Sequence, residues 1–301
     1  MWHLNDLEPI PCDLCGPSGQ SKVVLSRPDG LVVVECGRCG LAYVSPRPKP
    51  DCIRRLYDQS YFSGDREGNG IGYDCNYFSD VGASIPTPLR KMFARQYARS
   101  AIRTLRVLEV GCATGNTLSY FKHAGAQTLG IELSAEAARL ARERHGLDVI
   151  EGSVERIALP AAHFDVVLAL EVIEHMLSPL TFLRQCAAAL RVGGCLFLST
   201  PNYGAGQRLG SAWLGFQSSF EHLYFFNTQS LSELAKQCGL QVASTAYDGG
   251  NPKRRLSPLR RYCVAHVRGA FRATQLMDFI SHACRRRWGT SHGLWTTLKR
   301  V

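Results

Sequence analysis

Val107-Leu-Glu-Val-Gly-Cys-Ala-Thr-Gly-Asn116 is the stretch on which the reading of the fold turns. It starts as a buried strand, predicted over Arg106–Val110, and ends in a glycine turn that opens a helix, predicted over Thr114–His123. Gly111 and Gly115 let the backbone come close to a ligand with no side chain in the way. The helix start leaves N–H groups unpaired for that ligand. A dinucleotide turn needs G-x-G-x-x-G, yet Ala113 stands at the second glycine and Asn116 at the last. Glu109 adds negative charge where a pyrophosphate would be repelled and a cation welcomed.

Working outward, a second strand over Thr128–Ile131 ends at Glu132, 17 residues after Gly115. A carboxylate there can accept hydrogen bonds from both hydroxyls of a ribose; it also reads as an ordinary helix-start acid. Ser134 caps the next helix, with Glu136 in its first turn. Val149-Ile150 marks a third strand and Phe164–Leu170 a fourth. After a helix over Thr181–Leu190, Gly193-Gly194 turns the chain into a fifth strand, Cys195–Thr200. A helix over Ser230–Gln237 stops at Gly239, and Leu240–Ala246 is a later strand. Short apolar strands alternating with helical patterns predict a parallel α/β sheet with helices on both faces over residues 105–250.

The 301 residues allow one such domain and a small appendage. Apolar residues make up 45%, and no apolar run is long enough to span a bilayer. The first residues lack a basic, apolar leader pattern, so a cytoplasmic location is expected. Twelve cysteines there argue for thiols and metal ligands rather than disulfides. Of 35 bases, 12 fall between Asn251 and Val301, where Asp278 is the one acid. The net charge of +10 therefore belongs to this segment and the body is close to neutral, so no nucleic-acid partner is expected.

Cys12-x-x-Cys15 and Cys36-x-x-Cys39 stand 20 residues apart, around a short β-like run at Leu31–Glu35. Two such pairs predict a zinc-binding ribbon over residues 1–45. Four thiolates leave no open coordination position, so a structural Zn2+ is expected. Residues 46–104, which run from Ser45-Pro-Arg-Pro-Lys-Pro50 through a Tyr- and Gly-rich stretch to a helix at Leu89–Thr104, predict a cap beside the acceptor site. Residues 251–301 predict a basic amphipathic tail. Leu259, Cys263, Val267, Phe271, Met277, Ile280, Cys284 and Trp288 repeat at mostly helical spacing. That pattern fits either peripheral contact with an anionic membrane or a helix docked on its own domain.

Taken in order, Val107–Asn116, Thr128–Ser134, Glu151-Gly-Ser-Val-Glu155, Phe164–His175 and Leu190–Asn202 resemble the class I S-adenosylmethionine (SAM)-dependent methyltransferases. The resemblance implies a Rossmann-like SAM methyltransferase sheet preceded by the small zinc ribbon. By position, Glu109, Gly111, Ala113 and Gly115 would hold the methionine end of SAM, and Glu132 the ribose. Leu133, Ser153 and Val154 would lie at the adenine, and Leu170 would line the sulfonium side. The double cysteine pair, Pro-Arg-Pro and Tyr57-x-x-x-Tyr61-Phe62 resemble a bacterial subgroup that includes deoxysugar C-methyltransferases and enzymes of glycan and natural-product pathways. The sugar enzymes carry a further C-terminal domain for which this chain is short.

Glu221-His222 stands in the loop after the fifth strand, where the sugar enzymes have a Glu-His pair implicated in catalysis. His222 is the candidate general base, with Glu221 beside it. Tyr57, Tyr61 and Tyr73 could reach an acceptor or merely anchor loops. Glu171-Val-Ile-Glu174-His175 resembles an element that quinone-biosynthesis O-methyltransferases link to a divalent metal. The plainer expectation is that it caps the fourth strand and shapes the cofactor pocket. The expected activity is methyl transfer from SAM to a small-molecule or glycan acceptor, with O-methylation favoured over C- or N-methylation. A nicotinamide-dependent (NAD) oxidoreductase and a non-catalytic binding protein on the same fold are the rivals.

Overall fold

The computed structural model describes residues 2–56, 85–217, 221–247 and 293–301. Five strands open the chain: β1 (Leu7–Glu8), β2 (Ser21–Ser26), β3 (Val32–Cys36), β4 (Ala42–Val44) and β5 (Arg47–Pro48). Helices α1 (Pro50–Leu56) and α2 (Thr87–Gln96) follow. The main domain then runs β6 (Arg106–Val110), α3 (Asn116–His123), β7 (Gln127–Glu132), α4 (Ala135–His145), β8 (Val149–Glu151), β9 (Phe164–Leu170), α5 (Pro179–Ala189) and β10 (Leu190–Pro201). It continues through α6 (Tyr203–Leu209), α7 (Leu214–Gln217), β11 (Tyr224–Phe225), α8 (Thr228–Gln237), β12 (Leu240–Tyr247) and β13 (Gly293–Arg300).

Seven strands form one sheet in the order β8-β7-β6-β9-β10-β13-β12. The five from β8 to β10 are parallel, while β13 runs antiparallel to both its neighbours. β9, Phe164-Asp-Val-Val-Leu-Ala-Leu, is apolar almost throughout because both faces of a parallel sheet are covered. Alternate side chains divide between two cores. Leu108, Val110, Val167, Ala169, Leu196 and Leu198 face one side. Val107, Val166, Leu168, Cys195 and Phe197 face the other, against Phe93 and Phe121. The helix starts follow the sequence: Ser134 Oγ accepts from Ala137 N, Ser178 Oγ from Thr181 N, and Asn227 forms a capping box with Ser230.

Four expectations shift. The helix predicted over Leu89–Thr104 stops at Gln96 and resumes as a 3-10 turn at Arg99–Thr104. Tyr97 between them is extended, and its hydroxyl donates to Asp165 O (2.9 Å). Gly193-Gly194 does not start a strand but kinks one, because β10 begins at Leu190 and shifts register before Cys195. The last residues of the predicted tail are β13, buried inside the sheet between β10 and β12. Eight residues pair there with two strands far away in sequence, which local patterning does not announce. The amphipathic stretch Leu259–Trp288 and most of the predicted cap lie outside the described residues.

The fourth shift concerns residues 1–45, which are not an appendage. β2, β3 and β4 form a sheet that takes β11, from the segment after β10, as its fourth strand, in the order β11-β4-β3-β2. Tyr224 pairs with Tyr43 and Phe225 with Ala42. Leu31, Val33, Ala42 and Val44 pack with Tyr203, Trp213, Phe216 and Phe225 in a shared core. On the other side Cys12, Leu14, Leu41 and Tyr43 join the main-domain core.

Candidate active site

The glycine turn hangs on the tip of β7. Gly111 N and Cys112 N both donate to Ile131 O, at 2.8 and 3.1 Å. Gly111, Ala113 and Gly115 all have positive φ (69°, 48° and 85°). A Cβ on Gly111 would lie 2.6 Å from Val172 Cγ2, and one on Gly115 would overlap Leu147 Cδ1. The glycines are therefore required by backbone shape and by protein packing. The space the sequence reading reserved for a ligand is, at these two points, filled by Val172 and Leu147. Ala113 holds a left-handed conformation at a cost of about 1 kcal/mol.

Glu132 is a clamp. Its Oε2 accepts from Ala113 N and its Oε1 from Ser134 N, each at 2.8 Å. It thus locks the turn to the start of α4, the helix-start role read from its position. Each oxygen keeps lone-pair capacity for a ribose hydroxyl. Burial pushes its pKa up, against the opposing pull of those N–H donors. Glu109 is buried with Oε2 unpartnered, and burial holds its pKa well above the carboxylate range. An orphaned carboxylate oxygen is what a cationic ligand end would satisfy. Leu133 is 42% exposed beside Glu132, an apolar platform at the strand tip. Gly152 N donates to Glu132 O (2.8 Å), which ties the Ser153 loop to the same edge. Val154 faces the core, so only its backbone is available there. Leu170, partly buried, ends β9.

Val172, the side chain that fills the space at Gly111, leads directly into the second half of the site. Ile173–His175 form a 3-10 turn after β9. Ser199 Oγ donates to Glu171 Oε1 (2.7 Å), anchoring the turn to β10. Leu223 N donates to Glu174 O (2.9 Å), which brings the segment after β10 onto it. The rings of His175 and His222 then meet edge to face, centroids 4.7 Å apart. Glu174, His175 and His222 each offer an atom within 4.8 Å of the others.

Glu174 is fully buried with neither carboxyl oxygen partnered, and His222 Nδ1 is likewise unpartnered. Burial and the charge of Glu171 push Glu174 well up. Burial lowers His175 to about 4. Burial, His175 and Arg27 hold His222 well below the histidine range. Burial thus keeps the His222 imidazole neutral, with Nδ1 open to a hydroxyl donor, and also makes it a weaker base than a free histidine. The carboxyl that lies beside the His222 ring is Glu174. Glu221 is outside that group and offers its backbone carbonyl to His175. Tyr57, Tyr61 and Tyr73 lie outside the described residues.

The sequence model of a family described as the methyltransferase domain matches residues 68–245. The chain belongs to this family. The antiparallel β13 between β10 and β12 also departs from the dinucleotide-binding strand order that an oxidoreductase would need. The methyltransferase is 28% identical over 200 residues to a ubiquinone biosynthesis O-methyltransferase of Nitrosospira multiformis, covering 62% of this chain and 82% of the relative. It is 33% identical over 173 residues to one of the same name from Bordetella avium, covering 51% of this chain and 69% of the relative. It spans about half the length of several further curated relatives of that name. A solved structure from Listeria monocytogenes, described as an S-adenosylmethionine dependent methyltransferase, shares the fold. Its TM-score is 0.51 at 14% identity, over 70% of this chain and 97% of that one.

In this methyltransferase the four ribbon cysteines converge as the sequence spacing implied. Their sulfurs lie within 4.8 Å of one another, with Cys12 and Cys39 3.5 Å apart. A tetrahedral zinc site places sulfurs about 3.8 Å apart. Gly16 N donates to Cys12 O and Gly40 N to Cys36 O, so each pair sits on a tight knuckle. The donor set and spacing fit zinc. Asp13, inside the first knuckle, accepts from Leu180 N (2.7 Å) and Ser178 Oγ (2.9 Å) and so caps α5. Glu35 accepts from Tyr203 Oη (2.8 Å). Sequence reasoning passed over both acids, and it passed over Arg27. Their partners lie between 150 and 200 residues away, and no local spacing reports that.

Proposed function

We propose that this methyltransferase moves the methyl group of SAM to a hydroxyl oxygen of a small-molecule acceptor, with His222 taking the hydroxyl proton. The observation that carries the reading is a buried, unpartnered His222 Nδ1 on the same sheet edge as the Gly111–Gly115 turn, joined to it through Val172. The acceptor oxygen's lone pair forms the new O–C bond. The C–S pair returns to sulfur, leaving S-adenosylhomocysteine, and the proton passes to the imidazole. Glu109 would face the cationic amino group of SAM and Glu132 its ribose. Leu133 and the Ser153-Val154 backbone would bound the adenine, and Leu170 the sulfonium.

The relatives' name supports a ring hydroxyl as the acceptor; a glycan hydroxyl is the second class. Radiolabelled SAM with a panel of catechols and polyols, and assignment of the methylated atom by mass spectrometry and NMR, tests both. Labelled C- or N-methyl products would overturn the O-methyl reading. SAM binding with no turnover on either class would favour the non-catalytic rival.

The convergence of Glu174, His175 and His222 favours one further reading, a divalent cation held by this carboxyl and two imidazoles. Such an ion would supply Lewis-acid activation of the acceptor oxygen. Retention of full activity after exhaustive chelation, with the ribbon cysteines still metallated, would end it. For the ribbon we propose a structural Zn2+ on Cys12, Cys15, Cys36 and Cys39, tested by metal analysis of the purified chain.

Among the described residues no helix is long and apolar enough to cross a membrane. Peripheral contact through the basic segment is tested by co-sedimentation with anionic vesicles. A chain cut at Gly250 would lose β13, so Arg268→Glu with Arg272→Glu is the usable control. Equal binding by both proteins would end the idea.

A further inference from the structure

The β2–β3 hairpin carries Arg27-Pro28-Asp29-Gly30 at its turn. Arg27 N donates to Leu31 O (2.8 Å), Gly30 N donates to Arg27 O (3.0 Å), and Gly30 takes a φ of 87°. The turn folds Asp29 back so that its carboxylate receives the Arg27 guanidinium through both Nε and Nη2. The Arg27 side chain is fully buried. Its remaining nitrogen, Nη1, donates to the backbone carbonyl of His222 at 2.8 Å, across 195 residues. The next residue along is held by the same sheet, since Val44 N donates to Leu223 O (2.8 Å), and Tyr224-Phe225 then pairs with β4.

A buried charge with a fixed fork is costly to place and strict in geometry. Here it is aimed at one carbonyl of the segment that carries the acceptor-side imidazole. From this we infer that Arg27 is a positioning residue for methyl transfer: the ribbon's Arg27–Asp29 fork fixes the backbone at His222 and so aims its ring at the acceptor oxygen. The inference rests on the role proposed for His222. The groups facing that ring are Glu174 and His175 from the turn after β9, and Arg27 from the ribbon.

The test uses the full chain with zinc retained and S-adenosylhomocysteine bound. In Arg27→Met the amides of 221–226 should exchange with deuterium about tenfold faster, while peptides over 106–132 and the affinity for S-adenosylhomocysteine stay at wild-type values. On the acceptor that the hydroxyl panel yields, kcat should fall about 100-fold with the KM for SAM unchanged. Arg27→Lys keeps a donor without the fork and should recover part of the loss. In a His222→Gln background Arg27→Met should change kcat less than about twofold, because the residue it positions is gone.

Unchanged exchange over 221–226 in Arg27→Met overturns the inference. So does an equal loss of kcat in both backgrounds, which would make Arg27 a general support of the fold. If Arg27→Met fails to bind zinc or S-adenosylhomocysteine, the same measurements are made on Arg27→Lys, and unchanged exchange or an equal loss in both backgrounds overturns the inference there too. A His222→Gln variant with wild-type kcat would instead refute the proton-acceptor role, and the exchange experiment would still decide whether Arg27 holds the segment.

Discussion

The two halves of the site are built in opposite ways. On the proposed SAM side, Glu109, Gly111, Ala113, Gly115 and Glu132 come from two adjacent strands and the turn between a strand and its helix, within 24 residues. On the proposed acceptor side, Glu174 and His175 follow β9, His222 follows β10, and Arg27 comes from the N-terminal hairpin. The first half is held by local backbone geometry. The second is held by a ribbon that shares a sheet with the segment carrying His222. Cofactor binding should therefore tolerate damage to the ribbon, and acceptor chemistry should not.

The largest effect expected from breaking that contrast is at the ribbon. Structural zinc sites contribute about 10 kcal/mol of folding free energy. Cys36→Ser should abolish methyl transfer and unfold residues 1–45, read by hydrogen exchange, while calorimetry still detects S-adenosylhomocysteine binding. If both activities vanish together, the halves are not separable.

Next is His222→Gln, which should lower kcat by about 100-fold or more, roughly 3 kcal/mol, with the dissociation constant for SAM unchanged. Stopped-time product assays at saturating SAM read it. On the SAM side, Gly115→Val combines a β-branched residue at a φ of 85° with an overlap onto Leu147. It should cost about 3 kcal/mol in urea unfolding and weaken S-adenosylhomocysteine binding.

The smallest effect sharpens the comparison from the other direction. Ala113→Gly relieves a left-handed alanine at a φ of 48° and should raise stability by about 1 kcal/mol, visible as a higher Tm. The Ala113 N–H to Glu132 remains, so cofactor affinity should hold. A lower Tm would mean that the Ala113 methyl packs in a way its backbone strain does not outweigh.

How far the sequence could be read follows the same division. The order strand, glycine turn, helix, acidic strand tip was readable because each element rests on contacts a few residues apart: a period in apolar residues, a cap, a glycine where φ is positive. The cysteine pairs were readable because metal geometry fixes their spacing. The helix break at Tyr97 was not, since it depends on a hydroxyl bonding to Asp165 O, 68 residues away. Nor was the place of Gly293–Arg300, whose pairing with β10 and β12 is set by what remains open in the sheet. For Arg27 the Pro-Asp-Gly turn was a visible signal of a hairpin, but not of the carbonyl at which its arginine points.

From the sequence alone came the sheet, the glycine turn and the cysteine cluster, because short-range sterics, apolar periodicity and residue spacing act along the chain. Only the tertiary structure decided that Glu174 lies beside His222, that the ribbon shares a sheet with the segment after β10, and that the final strand lies inside the main sheet. These are contacts between segments tens to hundreds of residues apart. Their energy comes from burial and pairing in the assembled core, and that core exists only once the separate pieces have met.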